Sequence, residues 1–450
     1  MQSSGGVMTL KAASRQPVRI IESGPAGGVA GALWLCSLLG ETNAIAFDMG
    51  GTTAKACLIE NGRVKVTTDY YIDGRIAGHP VQVPFLDIIE IGTGGGSIAR
   101  VDSVGALKIG PQSAGAEPGP ACYGLGGVEA TVTDANLVAG KIDPDRFLGG
   151  EMKLNPALGL KAIRHLGDQL SLAPRATANG ILRIANAMMA AALSKVTVER
   201  GFDPRDFVMV AYGGAGPMHA TAVARELGVR RLIIPQAPGQ FSALGMLTTD
   251  FRYDYAQTHH LETATVGAEA LDAEFRVLEV DALADLAEDV GSTDVQFVRS
   301  VDMRYVGQFH TLTVVVPDEQ HDDRSLDHLA DRFHEAHEAR YGHAARDEPT
   351  QIINLRLAAI IHLSKPAFRK IAAGSDEPPE GARLENRRVM WEDGIESESV
   401  IFQRERLLAG NRIAGPAIVQ ESASVIPIGR GETARVDDFG NLHISLDGGI

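Results

Sequence analysis

The stretch FDMGGTT, residues 47–53, joins the end of an apolar strand to a tight turn. Residues 44–47 are apolar and predict a short strand that delivers Asp48 to its end, and residues 56–59 predict the strand that returns. The turn differs from a Walker A loop, which would place Gly-Lys-Ser/Thr at the start of a helix. The pattern predicts a hairpin with a carboxylate and two glycines at its tip.

The residue types at this tip suit a magnesium polyphosphate. Glycine lets backbone N–H groups face phosphate oxygens, and threonine hydroxyls add donors. A carboxylate opposite the phosphates can hold Mg²⁺ directly or through water, so Asp48 is the predicted metal and catalytic residue. The predicted phosphate cradle consists of Gly50, Gly51, Thr52 and Thr53. The alternative interpretation is a glycine-rich hairpin without a ligand.

A second glycine turn, YGGAGPMH, spans residues 212–219. Residues 208–211 predict a buried strand and residues from about 218 to 227 a helix, so small residues join a strand end to a helix start. Bare backbone there can lie against a nucleobase or ribose, and a helix N-terminus favours anionic groups. The predicted adenosine-side residues are Gly213, Gly214, Ala215 and Gly216. Turns of this kind are common, so the motif is weak without the first one.

Together, the two turns resemble the arrangement in actin, the sugar kinases and the heat-shock ATPases. Further motifs are similar to those of the hydantoinase A/5-oxoprolinase family, and they occur in the order that the family shows. These are ESGPAGG (22–28), IGTGGGS (91–97), CYG (122–124), VTDAN (132–136), PGQFSALG (238–245), RYVGQ (304–308), RYG (340–342) and GPAIV (415–419).

The resemblance implies an ATP- and Mg²⁺-dependent enzyme subunit that opens a small cyclic amide of the hydantoin or 5-oxoproline type. Phosphoryl transfer to the ring carbonyl oxygen turns a poor electrophile into one that water can attack. The resemblance also implies a hydantoinase B-type subunit for the hydrolytic step. Two alternatives remain open: the ATP-using subunit of an acetone- or acetophenone-type carboxylase, and a non-catalytic truncated remnant.

Two departures from the family pattern bear on these expectations. The family's ATPase has two lobes, each with its own Asp-Gly-Gly-Thr turn, whereas this sequence contains one such turn. We therefore expect a separate chain to supply the N-terminal lobe. Members often read Gly-Gly-Thr-Ser-Thr-Asp after the aspartate, and Lys55 stands in that region here. Its side chain either adds a cation near the phosphates or faces solvent, and we favour solvent.

Asp134 and His219 complete the predicted catalytic residues. Asp134, in the VTDAN motif, is either a metal or substrate carboxylate or a capping residue for the turn that follows it. His219, at a helix start beside the second glycine turn, either positions substrate or phosphate or is a structural histidine, and the structural role is the more frequent one. The histidines at 334, 337 and 343 lie on a charged helical pattern and are expected to face solvent.

A length of 450 residues suggests two to four domains. The predicted fold is α/β: residues 1–16 form a linker, 17–250 an actin-like (ribonuclease H-like) ATPase lobe, 251–365 an α/β module and 366–450 a β-rich C-terminal domain. The formal net charge of −15 repels nucleic-acid phosphates, so we expect no nucleic-acid partner. With no run of about 18 apolar residues and no signal peptide at the start, we expect no membrane segment and a cytoplasmic location.

Overall fold

The computed structural model describes residues 1–68, 70–72, 78–81, 83–290, 294–316 and 323–446. The helices in this part of the chain are α1 Leu10–Arg15, α2 Ser23–Leu39, α3 Val132–Val138, α4 Pro156–Leu170, α5 Pro174–Ser194, α6 Gly216–Leu227, α7 Phe241–Leu247, α8 Ala268–Asp289 and α9 Asp323–Tyr341. The strands are β1 Ala44–Met49, β2 Ala54–Glu60, β3 Arg63–Val64, β4 Val66–Thr67, β5 Tyr70–Ile72, β6 His79–Val81, β7 Phe85–Leu86, β8 Ile89–Ile91, β9 Ser97–Val101, β10 Leu107–Ser113, β11 Val208–Tyr212, β12 Arg231–Ile234, β13 Phe251–Glu262, β14 Gln296–Tyr305, β15 Leu312–Val315, β16 Thr350–Ile361, β17 Arg383–Met390, β18 Glu396–Gln403, β19 Arg412–Ala414, β20 Ala417–Glu421, β21 Ser424–Ile428, β22 Thr433–Val436 and β23 Leu442–Ser445.

A nine-stranded mixed sheet carries both glycine turns. Its order is β19-β22-β23-β12-β11-β1-β2-β3, and β8 also pairs with β2. Strands β1 and β11 are buried along almost their whole length and lie parallel, with Asp48 opposite Tyr212. Parallel strands end at the same edge, so the turns that follow β1 and β11 meet there. The sheet, with helices packed on it, confirms the predicted α/β class.

The C-terminal region shares this sheet. Strand β23 pairs antiparallel with β12, and β22 and β19 continue the sheet beyond it. Its apolar side chains, among them Phe402, Val419 and Ile444, belong to the same buried cluster as Phe47 and Met209. A second sheet, β17-β18-β20-β21, lies beside it. The C-terminal region is strand-rich, and its buried core is continuous with the core around β1 and β11.

The middle of the chain has its own core. Strands β13, β16, β14 and β15 form a four-stranded sheet, and α8 and α9 pack on it around buried residues such as Phe275 and Phe333. On α9, His334 and His337 are buried against Tyr305, whose hydroxyl lies 2.8 Å from His334 Nδ1. The expectation that this histidine set faces solvent is therefore wrong for these two residues, because the helix turns them toward the sheet.

The first 16 residues also differ from the predicted linker. Gln2, Ser3 and Ser4 are buried, and Ser3 Oγ donates to Arg19 O at 2.9 Å. The backbone of Val7 bridges to β13, and helix α1 follows. The small polar residues of this segment are typical of a linker. Its pairing with β13 is a long-range contact, which cannot be predicted from local composition.

A close approach between helices α2 and α7 depends on glycine. Helix α2 lies against α7, and a Cβ added at Gly245 would stand 1.9 Å from Gly27 O. Such a distance is impossible, so residue 245 must be glycine for the helices to approach this closely.

We expect Gly245→Ala to destabilise the fold by about 2–3 kcal/mol, because the added methyl group pushes two packed helices apart. The helix propensity of alanine offsets about 1 kcal/mol of this cost. Urea denaturation measures the free energy of unfolding. Gly24→Ala is the matched control, since a Cβ there meets nothing within 4 Å. Equal stability of both variants would contradict the packing argument.

One helical segment, Pro174–Arg200, is long and apolar enough to cross a membrane by length and composition. Its tested window is 50% buried inside the protein, where α5 packs against α3, α4 and α6. The core helix of a soluble protein has the same composition, so the finding is weak support for a membrane segment.

Candidate functional site

Asp48 and the second glycine turn touch directly. A Cβ added at Gly213 would lie 2.3 Å from Asp48 Oδ1, so the carboxylate rests against the bare backbone of Gly213. Gly213 has φ +83°, a conformation that L side chains rarely adopt. Ala215 N donates to Met49 O at 2.9 Å, which ties the two turns together. The two predicted motifs therefore form one site at the edge of the sheet.

A row of glycines supports the first turn from behind. Gly95 N donates to Gly50 O at 3.1 Å, and Gly96 N donates to Gly51 O at 2.6 Å. The positions of Gly50 and Gly51 face open space on the side where a Cβ would stand. The turn is thus held in place by backbone hydrogen bonds while its outer surface stays accessible, as a phosphate cradle requires.

A cavity of about 230 Å³ opens beside the two turns, and we call it the glycine-turn cavity. Gly50, Gly51, Gly214 and Ala215 line it, together with His219. Thr52 and Thr53 lie outside its lining, as do Asp48, Gly213 and Gly216. The residues of the two glycine turns therefore have two functions: some form the cavity wall, and others hold that wall in position.

The Asp48 carboxyl has a raised pKa. Burial raises the pKa of Asp48 from 3.8 to about 6, and the nearby Lys55 charge counteracts only part of that effect. A carboxylate that has lost much of its hydration is a strong ligand for a cation. Among the residues that the structure describes, no group of three or more His, Cys, Asp or Glu side chains could hold a metal ion. A Mg²⁺ ion at Asp48 would complete its coordination with phosphate oxygens and water, which is its usual habit in nucleotide sites.

This pKa predicts a pH dependence for metal–nucleotide binding. Protons compete with the cation for Asp48, so the affinity for Mg-ATP should fall by up to about tenfold per pH unit below pH 6 and be constant above pH 7. Isothermal titration between pH 5 and 8 measures this slope. A flat profile from pH 5 to 8 would mean that Asp48 does not contact the cation.

Lys55 lies close enough to Asp48 for its charge to lower the pKa of that carboxyl, and its ammonium group is held in ion pairs rather than facing solvent. Its Nζ lies 3.1 Å from Glu22 Oε2 and 3.5 Å from Glu90 Oε1. Tyr70 donates to the other Glu22 oxygen at 2.8 Å, and burial together with this hydrogen bond raises the pKa of Tyr70 to about 12. Lys55 is thus a half-buried residue of the sheet. Its ion-pair partner Glu22 is the N-cap residue of α2.

His219 is neutral and positions Asn136. Burial, with a smaller contribution from Lys141, lowers the pKa of His219 to about 3. Its Nδ1 donates to Asn186 Oδ1 at 2.7 Å, so its Nε2 accepts from Asn136 Nδ2 at 3.2 Å. The Asn136 amide also donates to Val132 O, which leaves Asn136 Oδ1 buried without a hydrogen-bond partner at the cavity wall. His219 is therefore suited to orient a neighbour rather than to transfer protons at neutral pH.

Asp134 lies behind the cavity and caps a helix. It is fully buried and forms a capping box with Thr131 at the start of α3. Its carboxylate also accepts from the backbone N–H groups of Ala121 and Cys122 at 3.2 and 2.8 Å. The structure therefore favours the capping role over the catalytic one, because its oxygens are engaged in fixing two loops. Cys122 is equally closed off, since burial and Asp134 raise the pKa of its thiol.

The far wall of the cavity comes from the C-terminal region and was missed by the sequence analysis. The turn between β20 and β21 brings Gln420, Glu421 and Ser424 to the cavity, each with a buried polar atom that has no hydrogen-bond partner. Burial raises the pKa of Glu421 to about 7. Nothing in the sequence links residue 421 to residue 50. The pairing of β23 with β12 attaches this region to the sheet.

An α/β lobe with two glycine turns at one sheet edge has the architecture of the actin-like class. The chain belongs to the hydantoinase/oxoprolinase family, whose main domain matches residues 1–255 and whose C-terminal domain matches residues 258–446.

Several relatives are similar along nearly the whole chain. An uncharacterized protein of Methanocaldococcus jannaschii is 40% identical over 453 residues, 99% of this chain and 64% of that protein. Caprolactamase subunit alpha of Pseudomonas jessenii is 33% identical over 446 residues, 97% of this chain and 63% of that protein. The chain therefore spans under two thirds of the length of these relatives.

Two solved structures share the fold. The crystal structure of ATP-dependent caprolactamase from Pseudomonas jessenii superposes with a TM-score of 0.83 at 31% identity, covering 95% of this chain and 62% of that one. Nucleotide-free acetone carboxylase superposes with a TM-score of 0.82 at 28% identity, covering 99% of this chain and 64% of that one.

Proposed function

We propose that this chain is the nucleotide-binding part of an ATP-dependent cyclic amide hydrolase. The observation that carries the proposal is the contact between Asp48 Oδ1 and the Gly213 backbone, which joins a metal-binding carboxylate to two glycine turns at one sheet edge. The likeness to ATP-dependent caprolactamase supports a cyclic amide as substrate.

In this proposal, each group of residues has a distinct task. Asp48 binds Mg²⁺, and the exposed backbone of Gly50 and Gly51 binds phosphate oxygens. Gly214 and Ala215, at the start of α6, hold the adenosine side. His219 keeps Asn136 in one orientation at the cavity wall. Bound ATP supplies a phosphoryl group for the ring carbonyl oxygen, which makes the carbonyl carbon susceptible to water.

The partners are part of the proposal. A chain carrying the N-terminal lobe closes the nucleotide site from the other side, and a hydantoinase B-type subunit carries out hydrolysis. We propose a cytoplasmic location, where ATP is available. These assignments follow the family resemblance.

The experiment is an ATPase assay on the complete chain together with its two partner subunits. We expect phosphate release to rise with hydantoin, 5-oxoproline or caprolactam and not with acetone plus bicarbonate. Stimulation by acetone plus bicarbonate alone would assign the chain to the carboxylases. Absence of Mg-ATP binding in isothermal titration, with the partners present, would leave the chain as a non-catalytic member of the family.

A further inference from the structure

A second, larger cavity of about 600 Å³ lies beside the glycine-turn cavity, and we call it the Arg404 cavity. Its volume is within the range of small-molecule sites. Most of its wall is apolar, formed by Leu244, Leu247, Phe368, Ile371, Leu407 and Leu442. Glu421 and Ser422 line both cavities, so the two spaces meet at these residues.

The Arg404 side chain is buried in this wall with part of its hydrogen-bonding capacity unused. Its Nη2 donates to Ile234 O and Pro235 O at 2.9 Å and to Gly440 O at 3.0 Å. These three carbonyls fix the guanidinium plane. Its Nε and Nη1 are buried without a hydrogen-bond partner. The fold thus holds the N–H of Nε and the NH2 group of Nη1 of a 5% exposed cation in one orientation and leaves both nitrogens without hydrogen-bond partners.

Glu421 supplies an acceptor beside these donors. Its Oε2 lies 3.8 Å from Arg404 Nε, which is an ion-pair contact but too long for a hydrogen bond. Its Oε1 is buried with no hydrogen-bond partner, and its side chain is 9% exposed. A buried polar atom without a partner lowers stability, so such atoms are rare unless a ligand uses them. Glu405, the other acid in the lining, is exposed to solvent.

The chemistry of the pair selects the kind of ligand. At pH 8, above the raised pKa of Glu421, the charges of Arg404 and Glu421 cancel, so the pair offers no net charge to a bound ion. The apolar wall favours a neutral ligand. The remaining donors need a carbonyl oxygen, and the remaining acceptor needs an N–H group. A ring amide presents C=O and N–H on the same side because its peptide bond is cis, and its methylenes suit the apolar wall.

We propose that the Arg404 cavity binds the ring of a cyclic amide, with Arg404 donating to the ring carbonyl and Glu421 accepting from the ring N–H. The inference rests on the proposed function and adds the substrate subsite to it. Arg404 and Glu421 are thereby specificity-determining residues. They favour a lactam over a ketone, which has no N–H group to offer Glu421.

The test is isothermal titration of the complete chain without nucleotide at pH 8, with 2-piperidone, N-methyl-2-piperidone and cyclohexanone as probes. We expect 2-piperidone to bind at least about tenfold more tightly than the other two, because each of those leaves Glu421 unpaired in a buried site. Equal affinity for all three probes, or no binding of 2-piperidone, would overturn the inference.

The double variant Arg404→Met/Glu421→Met replaces the pair with apolar side chains of similar size, a change that buried ion pairs generally tolerate. It also removes the donor to the carbonyls of Ile234, Pro235 and Gly440, so we expect its melting temperature to fall. We expect it to fold, as judged by its melting temperature, and to lose the preference for 2-piperidone. The control Glu41→Met/Arg231→Met removes an exposed Arg–Glu pair outside both cavities and should keep the preference. A preference unchanged in the Arg404/Glu421 variant would also overturn the inference.

A parallel titration with Mg-ATP separates this inference from the proposed function. Lactam preference without Mg-ATP binding would support the Arg404 subsite and contradict the ATP-dependent activity. Mg-ATP binding without lactam preference would contradict the subsite and leave the ATP-dependent activity standing.

Discussion

Replacing Asp48 with asparagine is expected to weaken Mg-ATP binding at least about 100-fold and to stabilise the fold at the same time. The amide keeps the shape of the carboxyl group but loses the charge that binds the cation, a loss of about 3 kcal/mol. Isothermal titration of the complete chain with Mg-ATP, in the presence of its partners, measures the first effect.

The gain in stability follows from the raised pKa of Asp48. The folded-state pKa of about 6 lies above the unfolded value of 3.8, so ionisation at neutral pH opposes folding by about 2–3 kcal/mol. This cost is fully present above pH 6, shrinks as the pH falls and vanishes below pH 4. Asp48→Asn should therefore melt at a higher temperature than the wild type at pH 7–8 and at the same temperature near pH 3.5.

Asp206→Asn is the control for this experiment. Asp206 is exposed at the opposite end of β11, and its replacement should change neither measurement. If Asp48→Asn kept full affinity for Mg-ATP, the assignment of Asp48 as the metal residue would be wrong, whatever its melting temperature.

Gly213→Ala is expected to weaken Mg-ATP binding at the same site through steric overlap. A methyl group at this position would stand 2.3 Å from Asp48 Oδ1 and 2.5 Å from Met49 O, so the carboxylate must move or the turn must open. We expect a loss of Mg-ATP affinity of about 100-fold, since a small displacement of a positioned group has a large functional cost. We also expect a loss of stability of about 2 kcal/mol from the strain at φ +83° and the overlap.

Gly228→Ala separates these two contributions. Gly228 caps the C-terminal end of α6, the helix that follows the Gly213 turn, with φ +88°, and a Cβ there meets nothing within 4 Å. We expect Gly228→Ala to lose about 1 kcal/mol of stability through backbone strain and to retain its affinity for Mg-ATP. Loss of affinity in both variants would mean that Gly213 acts through general destabilisation rather than through Asp48.

The core of the site was predictable because its signals are local. A strand that ends in Asp48 before two glycines, and a strand that ends in Gly213 before a helix, are patterns of a few residues each. The α/β class follows from the same strands and helices. A local signal also marked the role of Asp134, since Thr131 and Asp134 have the spacing of a capping box. The sequence analysis instead ranked capping and catalysis equally for Asp134.

The N-terminal segment and the C-terminal region show why other parts were not predictable. Residues 1–16 have the composition of a linker, yet Val7 pairs with β13, about 250 positions away. The C-terminal region was expected as a separate domain, yet β23 joins the central sheet at β12. Pairing between distant strands depends on the whole packed core, and no short window of sequence contains it.

What the sequence determined by itself is the pair of glycine turns and the carboxylate at the end of β1, because backbone conformation there depends on adjacent residues. Only the tertiary structure decided which side chains surround these turns. Asn136 faces the site because His219 and α3 orient it, and Glu421 stands beside Arg404 because β18 pairs with β20. The pairing of β23 with β12 then brings this region against the lobe that carries the glycine turns. Burial, which sets the pKa of Asp48 and leaves polar atoms of Arg404 and Glu421 unsatisfied, is a property of that packing and of no single segment.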